Sequence, residues 1–189
     1  NLKAAAEAAG AEHLNTTKAL FDYFMKISPT FKERNAAKRD YAAKGMEDED
    51  IFQKMQQFPK LFIFIDDLPE FVQKVHNPGE GVGAMAPFVS TLLEKGAMHN
   101  VFWIAGFNQE DAAAAAGFGV YNLFVKDKNG MHLGGNVAAQ RLLEFGHLPY
   151  QEQGRSQKPG IAMLPAQEED KTTMVVLPFY TAQQGDAEF

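Results

Sequence analysis

Chemistry in this sequence is most concentrated at Phe62-Ile63-Phe64-Ile65-Asp66-Asp67, where an apolar run ends in two carboxylates. Ligand sites in open α/β sheets gather at the carboxyl ends of strands. In a nucleotide-hydrolysing centre Asp66 would hold magnesium through water, and Asp67 would orient or deprotonate the attacking water. A plainer role is open to both carboxylates, because Asp caps helix starts well and a helix is expected from Leu68. Such a centre also needs a phosphate cradle, and no Gly-x-x-x-x-Gly-Lys-Ser/Thr occurs in the chain. Gly79-Glu80-Gly81-Val82-Gly83 lacks a following Lys, and Glu80 would repel phosphate. It reads as a flexible loop ahead of a helix. Gly134-Gly135 before Asn136 could form an anion-binding turn. A tight turn with a glycine at positive φ is the simpler expectation. His13, His76, His99, His132 and His147 show no metal-ligand spacing, and Ser90 and Ser156 lie in no nucleophile-elbow context.

The elements that would position these residues follow from apolar periodicity. Leu61 to Ile65, after Pro59, and Val101 to Ala105 are continuously apolar, as strands covered on both faces of a parallel sheet are, and they are expected side by side. Tyr121 to Val125 is expected as a third strand, with Gly160 to Leu164 and Met174 to Leu177 as later ones. Helical patterns lie around Leu68 to Val75, Ala84 to Glu94, Gln109 to Ala116 and Val137 to Phe145. Upstream, Asn15, Thr16 and Thr17 offer caps for a helix carrying Leu20, Phe21, Phe24 and Ile27 on one face. Ser28-Pro29 reads as the start of a second helix running to about Lys44, with Gly45 to stop it. Glu47 to Asp50 reads as a solvated loop or helix start. Strands alternating with helices predict a three-layer α/β domain around a mainly parallel sheet with right-handed crossovers.

Composition narrows the function classes. The 189 residues suit one domain, expected to span 1–189, and the 46% hydrophobic and 22% charged content is that of a globular protein, with sixteen Phe for a core. A net charge of −6 speaks against general nucleic-acid binding, which needs clustered Lys and Arg. The absence of Cys excludes disulfides and cysteine-ligated zinc and fits a cytosolic setting. No apolar run approaches the roughly 20 residues of a membrane span, so no membrane contact by this domain is expected. A start at Asn1 rather than Met leads us to expect a piece of a longer protein, N-terminally truncated.

Taken in order, several segments resemble the FtsK/SpoIIIE family of ring-forming motor ATPases. Arg34, Arg39 and Tyr41 lie where that family carries an Arg-Tyr pattern on a helix. Pro59-Lys60 and Leu61 to Asp67 look like its Walker B strand. Leu92 to Asn100, the strand Val101 to Ala105 and Phe107-Asn108-Gln109 resemble its helix, turn and sensor strand. Leu133-Gly134-Gly135 with Gln140-Arg141-Leu142-Leu143, and then Lys158-Pro159-Gly160, resemble later family segments. Within the family the wording is most like the C-terminal domains of the membrane-anchored motors of type VII secretion.

The resemblance implies a RecA-like P-loop core lacking its Walker A part. It assigns Asp66 and Asp67 to the Walker B position, Asp66 to magnesium through water, and Asn108 to the sensor position. ATP and magnesium are then cofactors of a full-length protein, with none expected in this fragment. The implied partners are other ATPase domains of the same chain or ring and exported helical-hairpin substrates. The implied location is the cytoplasmic face of the membrane. The departures are specific. The second Walker B position is Asp67 where the family has Glu, one methylene longer, and Glu110 stands where an Arg is usual. Together with the missing cradle they imply a degenerate ATPase; an active Mg-ATPase for secretion or DNA translocation, with its Walker A upstream, is the alternative.

Overall fold

The computed structural model describes residues 2–146, 148, 150–165 and 172–177. They form two compact units, 1–124 and 125–189, taken here one at a time.

The first unit is built on two parallel strands. β1 (Leu61–Ile65) and β2 (Val101–Ala105) pair in register from Leu61↔Val101 to Ile65↔Ala105. Side chains alternate across a strand, so Ile63, Ile65, Val101 and Trp103 share one face. Helices cover that face. Phe24 of α2 (Thr17–Ala43), Phe71 of α4 (Leu68–His76) and Phe124 of α6 (Gly119–Val125) all pack on Trp103, with ring centroids 6.5, 6.1 and 5.7 Å away. Val89 and Leu92 of α5 (Ala86–Lys95) are fully buried in the same core.

The other face corrects the expectation of cover on both sides. Phe62, Phe64 and Ile104 are 51%, 70% and 52% exposed, and the rings of Phe62, Phe64 and Phe102 stack along the surface. Only one helical layer is present among the described residues, so half of each apolar run faces out.

Three further expectations are corrected. Ser28-Pro29 starts no new helix: α2 runs unbroken for 27 residues through Pro29. Pro29 sits on the exposed side, where water can take the carbonyl four residues back that a proline cannot pair. Tyr121 to Val125 is helix α6, not a strand. Its apolar residues fit a helical face, Val120 and Tyr121 being buried and Phe124 touching Phe71 and Trp103. Finally, parallel pairing is confined to β1 and β2 among the described residues, because the second unit is antiparallel.

The remaining helices of the first unit are α1 (Leu2–Ala8) and α3 (Asp48–Met55). Thr16 caps α2 by accepting from the Ala19 N–H at 3.2 Å, and the helix ends at Gly45 as expected. In α3 the acidic run Asp48, Glu49, Asp50 occupies the first turn, where the helix dipole favours negative charge.

The second unit is a meander, β3 (His132–Asn136), β4 (Ser156–Pro165) and β5 (Thr172–Val176), with a short α7 (Tyr150–Gln153) before β4. Val137, Ala162 and Met163 are buried in it. The strands expected over Gly160 to Leu164 and Met174 to Leu177 are present in β4 and β5.

Candidate functional site

Parallel pairing brings the three sequence-derived site residues to one edge. β1 ends into Asp66-Asp67 and β2 ends into Gly106-Phe107-Asn108. Backbone bonds tie these exits together: the Gly106 N–H donates to the Ile65 carbonyl at 2.8 Å, and the Leu68 N–H donates to the Gly106 carbonyl at 3.0 Å. Asp66, Asp67 and Asn108 are all exposed. Asp67 is the N-cap of α4, its Oδ1 accepting from the Glu70 N–H at 2.9 Å. This is the plainer of the two roles the sequence allows it. Asn108 precedes a 3-10 turn, Gln109–Ala114, without a side-chain cap bond of its own. That turn replaces the helix expected there.

The edge therefore offers one uncommitted carboxylate, Asp66, and the exposed amide of Asn108. Magnesium at a phosphoryl-transfer centre keeps several waters and relies on one or two carboxylates plus the phosphates themselves. Asp66 suits the carboxylate part. Nothing described here supplies the phosphate part, and the described residues hold no group of three or more metal-ligating side chains. The glycine-rich stretch 79–83 is an irregular loop ahead of α5, with Gly79 and Gly81 at positive φ.

At the opposite, amino-terminal edge the same strands are tied by residues that the sequence marks only through the family resemblance. Arg34 of α2 is 6% exposed and donates through Nη1 to the His99 carbonyl and through Nη2 to the Pro59 carbonyl at 2.8 Å. It thus clamps the two segments that lead into β2 and β1. Burial lowers its pKa from the ordinary guanidinium value, with Glu33 opposing the shift, and a guanidinium remains cationic at neutral pH. Asn100 is fully buried in the left-handed region at φ 57. Its Nδ2 donates to the Met55 and Phe58 carbonyls at 3.2 and 2.8 Å, and its own carbonyl accepts from the Leu61 N–H at 2.8 Å. His99, 1% exposed, packs edge-on against Phe31 at 4.6 Å. Burial, then the positive charge of Lys38, Arg34 and Lys95, holds its pKa below the ordinary value. Gly96 completes the turn: an added Cβ would lie 2.2 Å from the Leu92 carbonyl oxygen and 2.9 Å from that of Val101. The residues from Gly96 to Asn100 that carry part of the family resemblance are thus a structural knot, and Arg34 is its outer clamp.

In the second unit Gly134 and Gly135 lie inside β3, both at φ 61, where the register with β4 shifts between Leu133 and Gly135. They have the positive φ expected of them but form a bulge inside a strand rather than the expected tight turn. The helix expected over Val137 to Phe145 does not form beyond a 3-10 turn, Val137–Ala139. Gln140 explains why: its Oε1 accepts from the Leu142 and Leu143 N–H groups at 2.9 and 2.7 Å, and its Nε2 donates to the Leu143 carbonyl at 2.9 Å. The side chain takes the bonds a helix would use. His132 is held below its ordinary pKa by burial. His147 lies outside the described residues.

No family model matches the chain, and no curated protein does. Two solved structures share its fold. The cytoplasmic domain of EssC matches with a TM-score of 0.68 at 10% identity, over 89% of this chain and 29% of that one. EssC (ATPases 2 and 3) from Geobacillus thermodenitrificans matches with a TM-score of 0.57 at 10% identity, over 89% of this chain and 27% of that one. The chain thus spans under a third of the length of either, and at this identity the likeness is one of fold.

Proposed function

We propose that this chain is part of a degenerate motor domain of a type VII secretion ATPase, one that binds neighbouring ATPase domains and the signal of exported helical-hairpin substrates. The observation that carries the reading is the EssC-like fold combined with the state of the carboxyl edge. Asp67, at the position of the water-orienting carboxylate, is engaged as a helix cap, and no phosphate cradle accompanies Asp66. Groups that bind and neutralise the β- and γ-phosphates carry most of phosphoryl-transfer catalysis, and in this reading the edge serves assembly. In this reading 1–189 belongs to one motor domain with a RecA-like core. The location is the cytoplasmic face of the membrane; no described helix is long and apolar enough to cross one.

The test pairs two titrations on the purified chain. Synthetic peptides from the C-termini of the cognate exported proteins are expected to bind weakly, because one short helix buries less than the roughly 1,200 Å² of a standard stable interface. A ring would raise that avidity. ATP with magnesium is expected to give neither saturable binding nor turnover. Magnesium-dependent hydrolysis abolished by Asp66→Ala would replace this reading with the second one.

That second reading is an active Mg-ATPase whose phosphate loop lies upstream. The open face of Phe62, Phe64 and Ile104 favours it, since an aromatic sheet face wants a second layer of polypeptide. Asp66 would then hold magnesium through water, and Asn108 would stand near the γ-phosphate.

A further inference from the structure

Beneath the Arg34 clamp lies a cavity of about 190 Å³ at the amino-terminal edge of the strand pair. Ile27, Phe31, Leu92 and Val101 form its apolar walls, and Arg34 and Lys60 supply its charge. A guanidinium has five N–H donors. Two of Arg34's are engaged, by the His99 and Pro59 carbonyls, and Nε is buried without an acceptor. No carboxylate pairs with Arg34 among the described residues; Glu33, its neighbour in sequence, acts on it only through space. The groups around it add to its sign. Lys60 is exposed at the cavity, and Lys38 and Lys95 act on His99 beside it. In a chain of net charge −6 this is a local excess of positive charge against apolar walls.

We infer that this cavity binds a monocarboxylate carried on a compact apolar group, with the carboxylate on Arg34 and the apolar body between α2 and α5. The charge sets the head group. Lys60 is exposed and screened by water, so Arg34 is the one buried cation of the lining, and a single negative charge neutralises it. A guanidinium fork matches a carboxylate in shape as well as in sign. The volume sets the body: a cavity of about 150 Å³ holds a benzene ring, so this one takes a phenyl or isobutyl group. The same chemistry is offered by a free small acid and by the last residue of a polypeptide ending in Phe or Leu. The site lies at the far end of the strands from Asp66 and does not depend on the motor reading.

The test uses the whole chain, followed by amide resonances. The probes are phenylacetate, its neutral analogue phenylacetamide, and a short peptide ending in Phe with either a free or an amidated terminus. The acid probes are expected to saturate shifts at Leu61, Leu92 and Val101 with Kd on the order of 1 mM. The neutral and amidated partners are expected to bind at least about tenfold more weakly. Thr30→Trp, one helical turn before Arg34, fills the exposed wall of the cavity and is expected to abolish the shifts while the spectrum stays folded. Arg34→Lys keeps the charge but loses the fork, and is expected to weaken the acid and leave the amide unchanged. Tighter binding of phenylacetate than of the peptide assigns a free small acid; the reverse assigns a protein terminus. Equal binding of acid and amide, binding that survives Thr30→Trp, or no saturation by any free carboxylate at about 10 mM overturns the inference.

Discussion

At their carboxyl ends β1 and β2 pass into segments where Asp66, Asp67 and Asn108 are exposed; at their amino ends the same strands are tied by buried groups that bridge α2, α3 and α5. Asp66, Asp67 and Asn108 attract attention in the sequence, yet the only side-chain bond among them that the fold uses is Asp67 capping α4. Arg34, His99 and Asn100 stand out in the sequence only through the family resemblance, with no chemistry assigned to them, yet between them they donate to or supply the carbonyls of Met55, Phe58, Pro59 and His99. A strand pair with one firm end and one loose end can vary its loose end without unfolding.

That asymmetry can be broken by mutation. Arg34→Met leaves two carbonyls without their donor at the firm end, and the expected loss is about 3 kcal/mol, read from urea unfolding by circular dichroism. A loss under about 1 kcal/mol would place the stability elsewhere. Asn100→Ala removes two bonds and also puts Ala at φ 57, with an expected loss of about 2 kcal/mol. Asn100→Gly loses the same bonds but relieves the backbone, so it should retain about 1 kcal/mol more than the Ala variant. At the loose end Asp67→Ala is expected to lose about 1 kcal/mol as a missing N-cap, and Asp67→Ser close to none.

The pH dependence separates the two ends as well. His99 is held below 6.5 by burial and by neighbouring positive charge. Below that pH the unfolded chain binds a proton that the folded chain resists, so stability present above about pH 6.5 is lost on acidification. His99→Phe should flatten the melting temperature measured between about pH 5 and 7. His132 leaves a residual slope of the same sign from the second unit. Asp66→Ala is expected to change stability by less than about 0.5 kcal/mol. A larger loss would show that Asp66 has a structural partner after all.

How far the sequence could be read depended on whether a residue's partners were local. β1 and β2 were legible because five consecutive apolar residues after a turn have few other uses. Tyr121 to Val125, broken by Asn122, was misread as a strand, since a segment that short fits a strand or one buried helical turn and its packing on Phe71 and Trp103 decides between them. The positive φ at Gly134-Gly135 was legible from glycine's freedom, but its use in a strand bulge rather than a tight turn was not. The Gln140 turn was not, because Gln at a helix start ordinarily favours the helix. Arg34 lay furthest out of reach: its acceptors are 25 and 65 residues away, and they are backbone carbonyls that no residue type announces. At the candidate site the strands expected side by side carry Asp66, Asp67 and Asn108 to one edge, and Asp67 takes the cap role the sequence allows through its bond from the Glu70 amide.

The bare side of the first unit has a bearing on how the chain behaves in solution. Phe62, Phe64 and Ile104 sit on two strands whose outer edges are unpaired among the described residues. Flat, apolar, open-edged strands recruit further strands, and proteins ordinarily blunt them with charge or cover. Here the blunting is left to the net negative charge, whose repulsion is long-ranged in dilute buffer and shrinks to about 3 Å in molar salt. The purified chain should therefore be colloidally well behaved at low ionic strength and begin to self-associate as salt is added, with Phe64→Lys restoring its salt tolerance.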